Sequence, residues 1–395
     1  MNSIKLTKKD IEGLNKKGLS IEDISSQIEK LNKGNIPVSL NRPASLDDGV
    51  IRFSREREQE LSDKFEKNRS NNTFAKFVPA SGAATRMFSK LTEILNKLDL
   101  GEITLKDLME NDSIDISFTN FFNALKRNEL PFSDSLEISL KENGLDLGNL
   151  LEENNIKIIL EYILDKKGLN YGSLPKALVK FHKYTDRSVS PIGEHFIEAA
   201  LYAGDRKNNT NIHFTIPEQN LEDFKEEVLE LEKLFKLIKG YQINTEFSFQ
   251  MISTNTISIN ESGEPVRDNN GDILLRAGGH GSLIGNLNKI SSDIIFIKNI
   301  DNITTGDRLN DIVESKKVIG AYLIEIRDKI FNSLRTLPRI IKDGESINEI
   351  YCFAKDVLNI SFPAEFIEFD LEKKRKSLLD KLNRPVRVCG MVKNM

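Results

Sequence analysis

Phe74-Ala75-Lys76-Phe77-Val78-Pro79-Ala80-Ser81-Gly82-Ala83-Ala84-Thr85-Arg86-Met87 is the stretch that sets the fold class. Its first six residues form a short β-like run closed by proline. Ala80 to Ala84 are too small to pack a regular element and read as a loop. Met87, Phe88, Leu91, Ile94 and Leu95 then recur at helical spacing, which predicts an amphipathic helix. Strand, small-residue loop and helix in that order form the opening half of a β-α unit.

The alternation resumes downstream. His195, Phe196, Ala199 and Ala200 fit a helix, and Ile212-His213-Phe214-Thr215-Ile216 a strand. Glu218 to Lys239 reads as an acidic amphipathic helix. Phe247 to Gln250 and Ile257 to Ile259 read as short strands, the second leading into the turn Gly263-Glu264-Pro265. Asp293-Ile294-Ile295-Phe296-Ile297 is almost wholly apolar, the pattern of a strand buried on both faces. A long helix follows, with Leu309, Ile312, Ile319, Leu323, Ile326 and Leu334 on one stripe. The fold class is therefore α/β, with a mixed, mostly parallel sheet and helices on both sides.

Three regions follow from this reading. Residues 1–70 form a helical N-terminal region, with a helix start at Ser20, a stripe of Ile21, Ile24, Ile28 and Leu31, and a third helix from near Ser54. Between them Ile36 to Pro43 must be extended through its prolines. Residues 71–335 form the α/β core, with a helical insertion or cap near 100–168. Residues 336–395 form a C-terminal α/β segment ending in a strand from Arg387, with no closing element after it.

Composition narrows the function classes. The 395 residues allow two or three domains at roughly 100–200 residues each. A net charge of −4, from 56 basic and 60 acidic residues, gives no general attraction to nucleic acid or anionic membrane. Cys352 and Cys389 alone exclude a disulfide framework or a four-cysteine zinc site. Four histidines without metal-binding spacing argue against a tightly held transition metal. No apolar run approaches the ~18 residues of a membrane span, and no signal-peptide core opens the chain, so it reads as a soluble cytoplasmic protein.

Four segments carry candidate chemistry. Around Ala80, Ser81, Gly82, Ala83 and Thr85, backbone N–H groups can approach an anion closely. A helix N-terminus adds positive potential, and Arg86 adds a guanidinium for phosphate. The segment lacks Gly-Lys-Ser/Thr and GxGxxG, so it is not a Walker loop or a dinucleotide fingerprint. A tight turn whose small residues permit packing explains it equally well. Lys176, in Leu174-Pro175-Lys176-Ala177, places an ammonium at the edge of a site or simply in solvent. Gly279, His280 and Gly281 form a loop where a ligand can touch backbone, or a plain turn. Asp301 and Asn302 follow the 293–297 strand, where open α/β sheets bind ligands and an Asp can hold Mg²⁺, although an isolated Asp-Asn also suits a turn.

Taken in order, the segments resemble those of the sugar-nucleotide pyrophosphorylases. Val78 to Met87 resembles the family's glycine-rich loop, which ends in Gly-Thr-Arg-Met or Gly-Thr-Arg-Leu. Pro175-Lys176-Ala177-Leu178-Val179, with Pro191 to His195 after it, is similar to its Pro-Lys-x-Leu segment and following helix. Gly279-His280-Gly281 and Phe296 to Asn302 resemble loops of the UDP-sugar branch. The matches span residues 74–302. The chain as a whole also resembles a bacterial family of unknown function associated with that superfamily.

The resemblance implies a GT-A-type, Rossmann-like nucleotidyltransferase core. It implies an activity joining an NTP, with uridine as base, to a sugar 1-phosphate. Arg86 and Lys176 would act on the phosphates, and residues 80–85, Gly279, His280, Gly281 and Asn302 would hold nucleotide and sugar. Asp301 would contact Mg²⁺ brought in with the nucleotide. Nucleotide and phosphorylated sugar are thus the expected partners, with no nucleic acid and no membrane. The chain departs from the family pattern at Ala83 and Ala84, which replace glycines and stiffen the loop. Pro79-Ala80-Ser81 replaces the usual Leu-Ala-Gly or Gly-Gly pattern, and no position is assigned to the C-terminal lysine of the UDP-sugar branch, as expected of a chain shorter than its relatives. Two alternatives remain: an NDP-sugar-dependent glycosyltransferase, for which an Asp-x-Asp motif is missing, and a non-catalytic nucleotide or sugar binder.

Overall fold

The computed structural model describes residues 6–34, 38–40, 42–46, 48–104, 116–340 and 343–392. The chain divides into two compact units. One comprises residues 1–37 and 72–309, the other residues 38–71 and 310–395.

The first unit is built on a four-stranded sheet of β1 (Phe74–Pro79), β2 (Asn209–Thr215), β3 (Gln242–Ser248) and β4 (Ile294–Ile297). The spatial order is β4-β1-β2-β3, and all three pairings are parallel, so the mixed sheet expected from sequence is wholly parallel here. Antiparallel pairing occurs outside this sheet's ladders, in His182–Lys183 with Ser188–Val189, in Thr256–Ile257 with Leu275–Arg276, and in isolated bridges. β1 lies between β2 and β4, and the chain's progression across the sheet reverses there. β4 has one neighbour and is an edge strand. Its burial alternates, with Ile294 and Phe296 buried and Ile297 53% exposed, which corrects the reading of 293–297 as a strand covered on both faces.

Three helices frame this sheet in sequence: α1 (Ser89–Asp99), α2 (Pro191–Tyr202) and α3 (Leu221–Lys239). Ser190 caps α2 by accepting from the Gly193 N–H, and Pro191 occupies the first turn, where its missing N–H costs nothing. Phe196 on α2 stacks on Phe214 of β2 and meets Phe235 of α3 edge-on. Gly240, at φ 64°, ends α3 in the left-handed conformation that glycine adopts without strain.

The region expected as a cap is helical over 116–126, 133–142, 147–152 and 156–164; residues 105–115 lie outside the described residues. It has its own apolar core, in which Leu136, Leu140, Ile159, Leu160 and Ile163 pack with Leu91 and Leu95 of α1.

Residues 1–70 do not stay together. The helices Lys8–Lys16 and Ile21–Asn32 belong to the first unit, where Leu14, Leu19, Ile24 and Ile28 share a core with Ile257 and Ile273. The helix Arg55–Asn68 belongs to the second unit, where Arg57 and Lys64 both pair with Glu325. The boundary expected at 70 therefore gives way to a chain that leaves the first unit and returns to it. Of the extended connector, Ile36, Pro37 and Asn41 lie outside the described residues.

The second unit is mainly helical, apart from the short parallel pair Ser45–Leu46 and Gly49–Val50, with a core of Ile326, Ile330, Leu337, Ile347, Phe353, Leu378 and Leu382. The C-terminal α/β segment expected over 336–395 is corrected: its described residues hold helices Gly344–Cys352 and Leu371–Leu382 and no strand. Val388, read as a strand residue, instead packs on that helical core, as does Val386. Residues 393–395 lie outside the described residues.

Candidate functional site

The loop after β1 is pinned at two points. Ala80 is fully buried and its N–H donates to the Thr215 carbonyl at 2.8 Å; Ala84 is fully buried too. Between and beyond these anchors Ser81, Gly82, Ala83, Thr85 and Arg86 are exposed. A turn closes by Met87 N–H to Ala84 carbonyl, and α1 begins only at Ser89, with no side-chain cap from Phe88. The sequence reading that set Arg86 at the helix start is thereby corrected. The free N–H groups of α1 belong to residues past Arg86, so helix polarity bears less directly on residues 80–85. The Arg86 guanidinium is exposed and has no ion pair among the described residues.

Two distant segments meet at this loop. Ala84 N–H donates to Leu174 carbonyl at 3.0 Å, and Lys176 N–H to Gly82 carbonyl at 2.9 Å, so 82–84 and 174–176 run side by side. Lys176 heads a single 3₁₀ turn, and its ammonium reaches Asp301 Oδ2 at 2.8 Å. Hydrogen bonding from Lys176 holds the Asp301 carboxyl below its ordinary range; partial burial opposes this, and the nearby charge of His280 adds to the lowering. Loop 80–86, Lys176, Asp301 and His280 thus gather at the carboxyl-terminal edge of the sheet, above β1 and β4. Arg86 and Asn302 are exposed, and among the described residues neither side chain hydrogen-bonds or pairs with this group.

Gly279 and Gly281 have ordinary backbone angles or lie in a 3₁₀ turn, and a Cβ at Gly82, Gly279 or Gly281 would meet nothing within 4 Å. The local fold does not require glycine at any of the three. Alongside, a cavity of about 340 Å³ opens over β1, β2 and β3, lined among others by Ser81, Pro175, Gln219, Phe249, Gln250 and Ala277.

Beneath this edge lies a buried cluster that the sequence reading missed. Glu198 on α2 receives Lys76 of β1 at 2.8 Å and Lys298, just past β4, at 2.5 Å; all three are nearly inaccessible. Tyr202 OH donates to the same carboxylate at 3.1 Å. Burial works against the Glu198 charge, but Lys76 and Lys298 outweigh it and hold the carboxyl at about 2. One turn earlier, His195 Nε2 lies 3.3 Å from the Ile300 carbonyl, next to Asp301. Burial pushes His195 well below its ordinary value, so the ring is neutral and Nε2–H donates to that carbonyl. The segment 298–301 is therefore fastened to α2 at Lys298 and at Ile300. The one legible signal was Lys76 itself, a lysine inside an apolar strand, which must be paired if buried.

A second group missed in the sequence sits at the start of α2. Glu194 is buried and accepts from Tyr184 OH at 2.8 Å, with His182 Nδ1 at 2.7 Å. Burial first, then the Glu194 contact, pushes Tyr184 up to about 12.

The family model for a domain of unknown function, DUF4301, matches residues 7–395. The chain belongs to the DUF4301 family. No curated protein and no solved structure matches it. Among the described residues of this DUF4301 chain, no helix is long and apolar enough to cross a membrane. No group of three or more His, Cys, Asp or Glu side chains among them is arranged to hold a metal ion.

Proposed function

We propose that the edge above β1 and β4 binds a nucleoside triphosphate, with uridine as base, and a sugar 1-phosphate. It would join them into an NDP-sugar with release of pyrophosphate, on a GT-A-type, Rossmann-like core. The observation that carries the reading is the meeting of Lys176 with Asp301 beside residues 82–84, where the strand order reverses. In open parallel sheets that reversal leaves a crevice outside the carboxyl ends of the strands, and ligands enter there. The choice of uridine follows the resemblance of Gly279-His280-Gly281 to the UDP-sugar branch.

In the proposed reaction a sugar-phosphate oxygen forms a bond to the α-phosphorus, and the bond from that phosphorus to the bridging oxygen breaks. Pyrophosphate carries away the electron pair. No protein nucleophile is needed; positioning and charge neutralisation carry the catalysis. Lys176 would give phosphate oxygens the donors it now gives Asp301, and Arg86, exposed and without an ion pair among the described residues, would add a planar fork. Ser81, Gly82, Ala83 and Thr85, all exposed, would offer backbone N–H groups, while that of Ala84 stays on Leu174. The cavity beside the loop, with Gln219, Gln250 and Phe249 in its walls, has the amide edges and ring face that a base would use.

Asp301 is a single carboxylate, which suits a Mg²⁺ that arrives on phosphate and keeps most of its water; it does not make a standing metal site. Bound there, Mg²⁺ would neutralise phosphate charge.

A second reading, sugar transfer from an NDP-sugar to a hydroxyl, has one observation in its favour. His182, oriented by buried Glu194, is arranged as a general base for an acceptor hydroxyl. Pyrophosphate release is the deciding measurement, taken with UTP and the other NTPs against a panel of sugar 1-phosphates with Mg²⁺. Release supports the first reading. No release, with sugar transfer from UDP-sugars to polyols, supports the second. Melting-temperature shifts with nucleotide but neither reaction leave a binder, and no shift at all defeats the nucleotide reading.

A further inference from the structure

Three side chains that neither reading uses, His213, Glu246 and Ser248, lie along β2 and β3, beside the cavity that the first reading gives to the base. His213 and Glu246 are direct register partners, and Ser248 follows two residues on, so Glu246 and Ser248 present side chains to the same face. His213 Nε2 lies 2.7 Å from Ser248 Oγ, and His213 Nδ1 3.3 Å from Glu246 Oε2. Asn286 Nδ2 donates to Ser248 Oγ at 2.9 Å and to the Phe249 carbonyl at 2.8 Å.

The proton order follows from these contacts. The Glu246 carboxylate can only accept, so Nδ1 carries the ring's one proton, and Ser248 Oγ, which also accepts from Asn286, donates its own proton to Nε2. Nε2 is then the bare nitrogen, and Nδ1–H donates to Glu246. Phe77 stacks on the imidazole with centroids 5.6 Å apart and restricts its plane. Burial pushes His213 below its ordinary value, with Glu246 opposing, so the ring is a neutral base near pH 7.

We propose that Ser248, His213 and Glu246 form a second catalytic site, which hydrolyses short acyl esters of hydroxylated alcohols. Two further observations support it. Ser248 is the last residue of its strand and partly exposed, and Phe249 and Gln250 after it line the 340 Å³ cavity. The backbone N–H groups of Phe249 and Gln250 have no hydrogen-bond partner among the described residues. In serine hydrolases built on α/β sheets, the N–H of the residue after the nucleophile supplies half of the oxyanion hole. Gln219, Asn220 and Asn255 make the cavity wall polar, which suits a hydroxylated alcohol and a small acyl group.

In the proposed step Ser248 Oγ bonds to the ester carbonyl carbon while its proton passes to His213 Nε2. The carbon–oxygen bond to the alcohol then breaks, and His213 returns the proton to that oxygen as the alcohol leaves. Water attacks the acyl-serine with His213 as base, releasing the carboxylic acid and restoring the serine. Glu246 is 77% exposed, so it orients the ring more than it stabilises the imidazolium. The opposing account is that Ser248 and Asn286 only tie 284–287 to the sheet, in which case the hydroxyl is unreactive.

The test is labelling of the full chain by a fluorophosphonate probe, with the modified residue located by peptide mass mapping. Ser248 should be labelled in the wild type. Ser248→Ala should remove the label, and His213→Gln should slow it by about 10²–10⁴-fold. The wild-type rate should rise as His213 loses its proton and level off below pH 7. p-Nitrophenyl acetate turnover should follow the same pattern. Wild-type protein that stays unlabelled at Ser248 while folded by circular dichroism overturns the proposal. So does a Ser248 labelling rate unchanged in His213→Gln. Should His213→Gln fail to fold, p-nitrophenyl acetate turnover unchanged in folded Ser248→Ala overturns it equally.

Discussion

Lys76 and Lys176 each hold a carboxylate at 2.8 Å within the same unit, yet the two contacts sit in opposite surroundings. Lys76 meets Glu198 with side chains 0 and 2% exposed, whereas Lys176 meets Asp301 with side chains 27 and 47% exposed. In water a contact of this length is nearly balanced by hydration and the entropy of two long side chains, so it breaks and reforms cheaply. Inside the protein neither partner can return to water, so loss of one strands the other. The two pairs are linked through the chain, because Lys298 of the buried cluster lies three residues before Asp301. The buried pair can thus fix the segment while the exposed pair stays free to exchange partners.

The largest effect should come from the buried side. Glu198→Gln removes the buried negative charge that Lys76 and Lys298 share. Breaking a buried pair in this way costs about 3–5 kcal/mol, read as a lowered denaturation midpoint. Glu198 has a depressed folded value of about 2 against an ordinary 4.5. Its stabilisation is therefore complete above pH 4.5 and lost as pH falls toward 2, and Glu198→Gln should flatten that acid limb. If the variant matches wild type at pH 7, the cluster is not the fastening argued above.

The exposed side should show the reverse pattern. Lys176→Ala and Asp301→Asn should change stability by less than ~1 kcal/mol, as exposed pairs do. On the nucleotidyltransferase reading, loss of a preorganised cation or of the Mg²⁺ contact should lower turnover by about 10²–10³-fold. Arg86→Ala should behave alike, with Arg86→Lys recovering part, since an ammonium lacks the planar fork. Full pyrophosphate release with a lowered melting temperature would instead make Asp301 a structural residue.

His195 lies between these extremes. It is buried and neutral when folded but titrates near 6.5 when unfolded, so the unfolded chain binds the extra proton. Stability should therefore fall as pH drops below 6.5, with a slope approaching ~1.4 kcal/mol per pH unit for this one ring. His195→Gln should remove that part of the slope while keeping a donor for the Ile300 carbonyl. Urea melts of both proteins at pH 7 and pH 5.5 measure it.

The comparison also marks where sequence reading succeeds. β1 and its loop are legible because Pro79 and five small residues interrupt an apolar run abruptly. β4 is legible as a strand but not as an edge, since four consecutive apolar residues look the same whether one or two neighbours pair with them. The meeting of Lys176 with Asp301 depends on Ala83 bridging to Pro175, a contact between segments 92 residues apart in sequence with no local signature. Glu198 and Lys298 are equally silent, because nothing beside Ala199 and Ala200 or at a strand end announces a shared buried charge. The first two helices were legible as helices, but their partners, Ile257 and Ile273, lie over 200 residues away. Pattern gives elements and their faces; long-range pairing decides which polar residues are trapped.

The smallest effect should come from Gly279 and Gly281, and it sharpens what the exposed edge does. Neither glycine has a positive φ, and a Cβ at either would meet nothing within 4 Å. Alanine there should be neutral or slightly stabilising, by at most about 1 kcal/mol, because it restricts the unfolded chain. A methyl group cannot disturb the fold at these positions, so any functional change must come from something that approaches the backbone from outside. If the loop touches nucleotide or sugar, Gly279→Ala or Gly281→Ala should weaken binding several-fold with an unchanged melting temperature for the free protein. Titration calorimetry with UTP and with a UDP-sugar reads that loss, and a differential-scanning melt of the same sample supplies the control. Affinity equal to wild type in both variants would mean that the ligand keeps its distance, and the loop's glycines would then serve no contact with it.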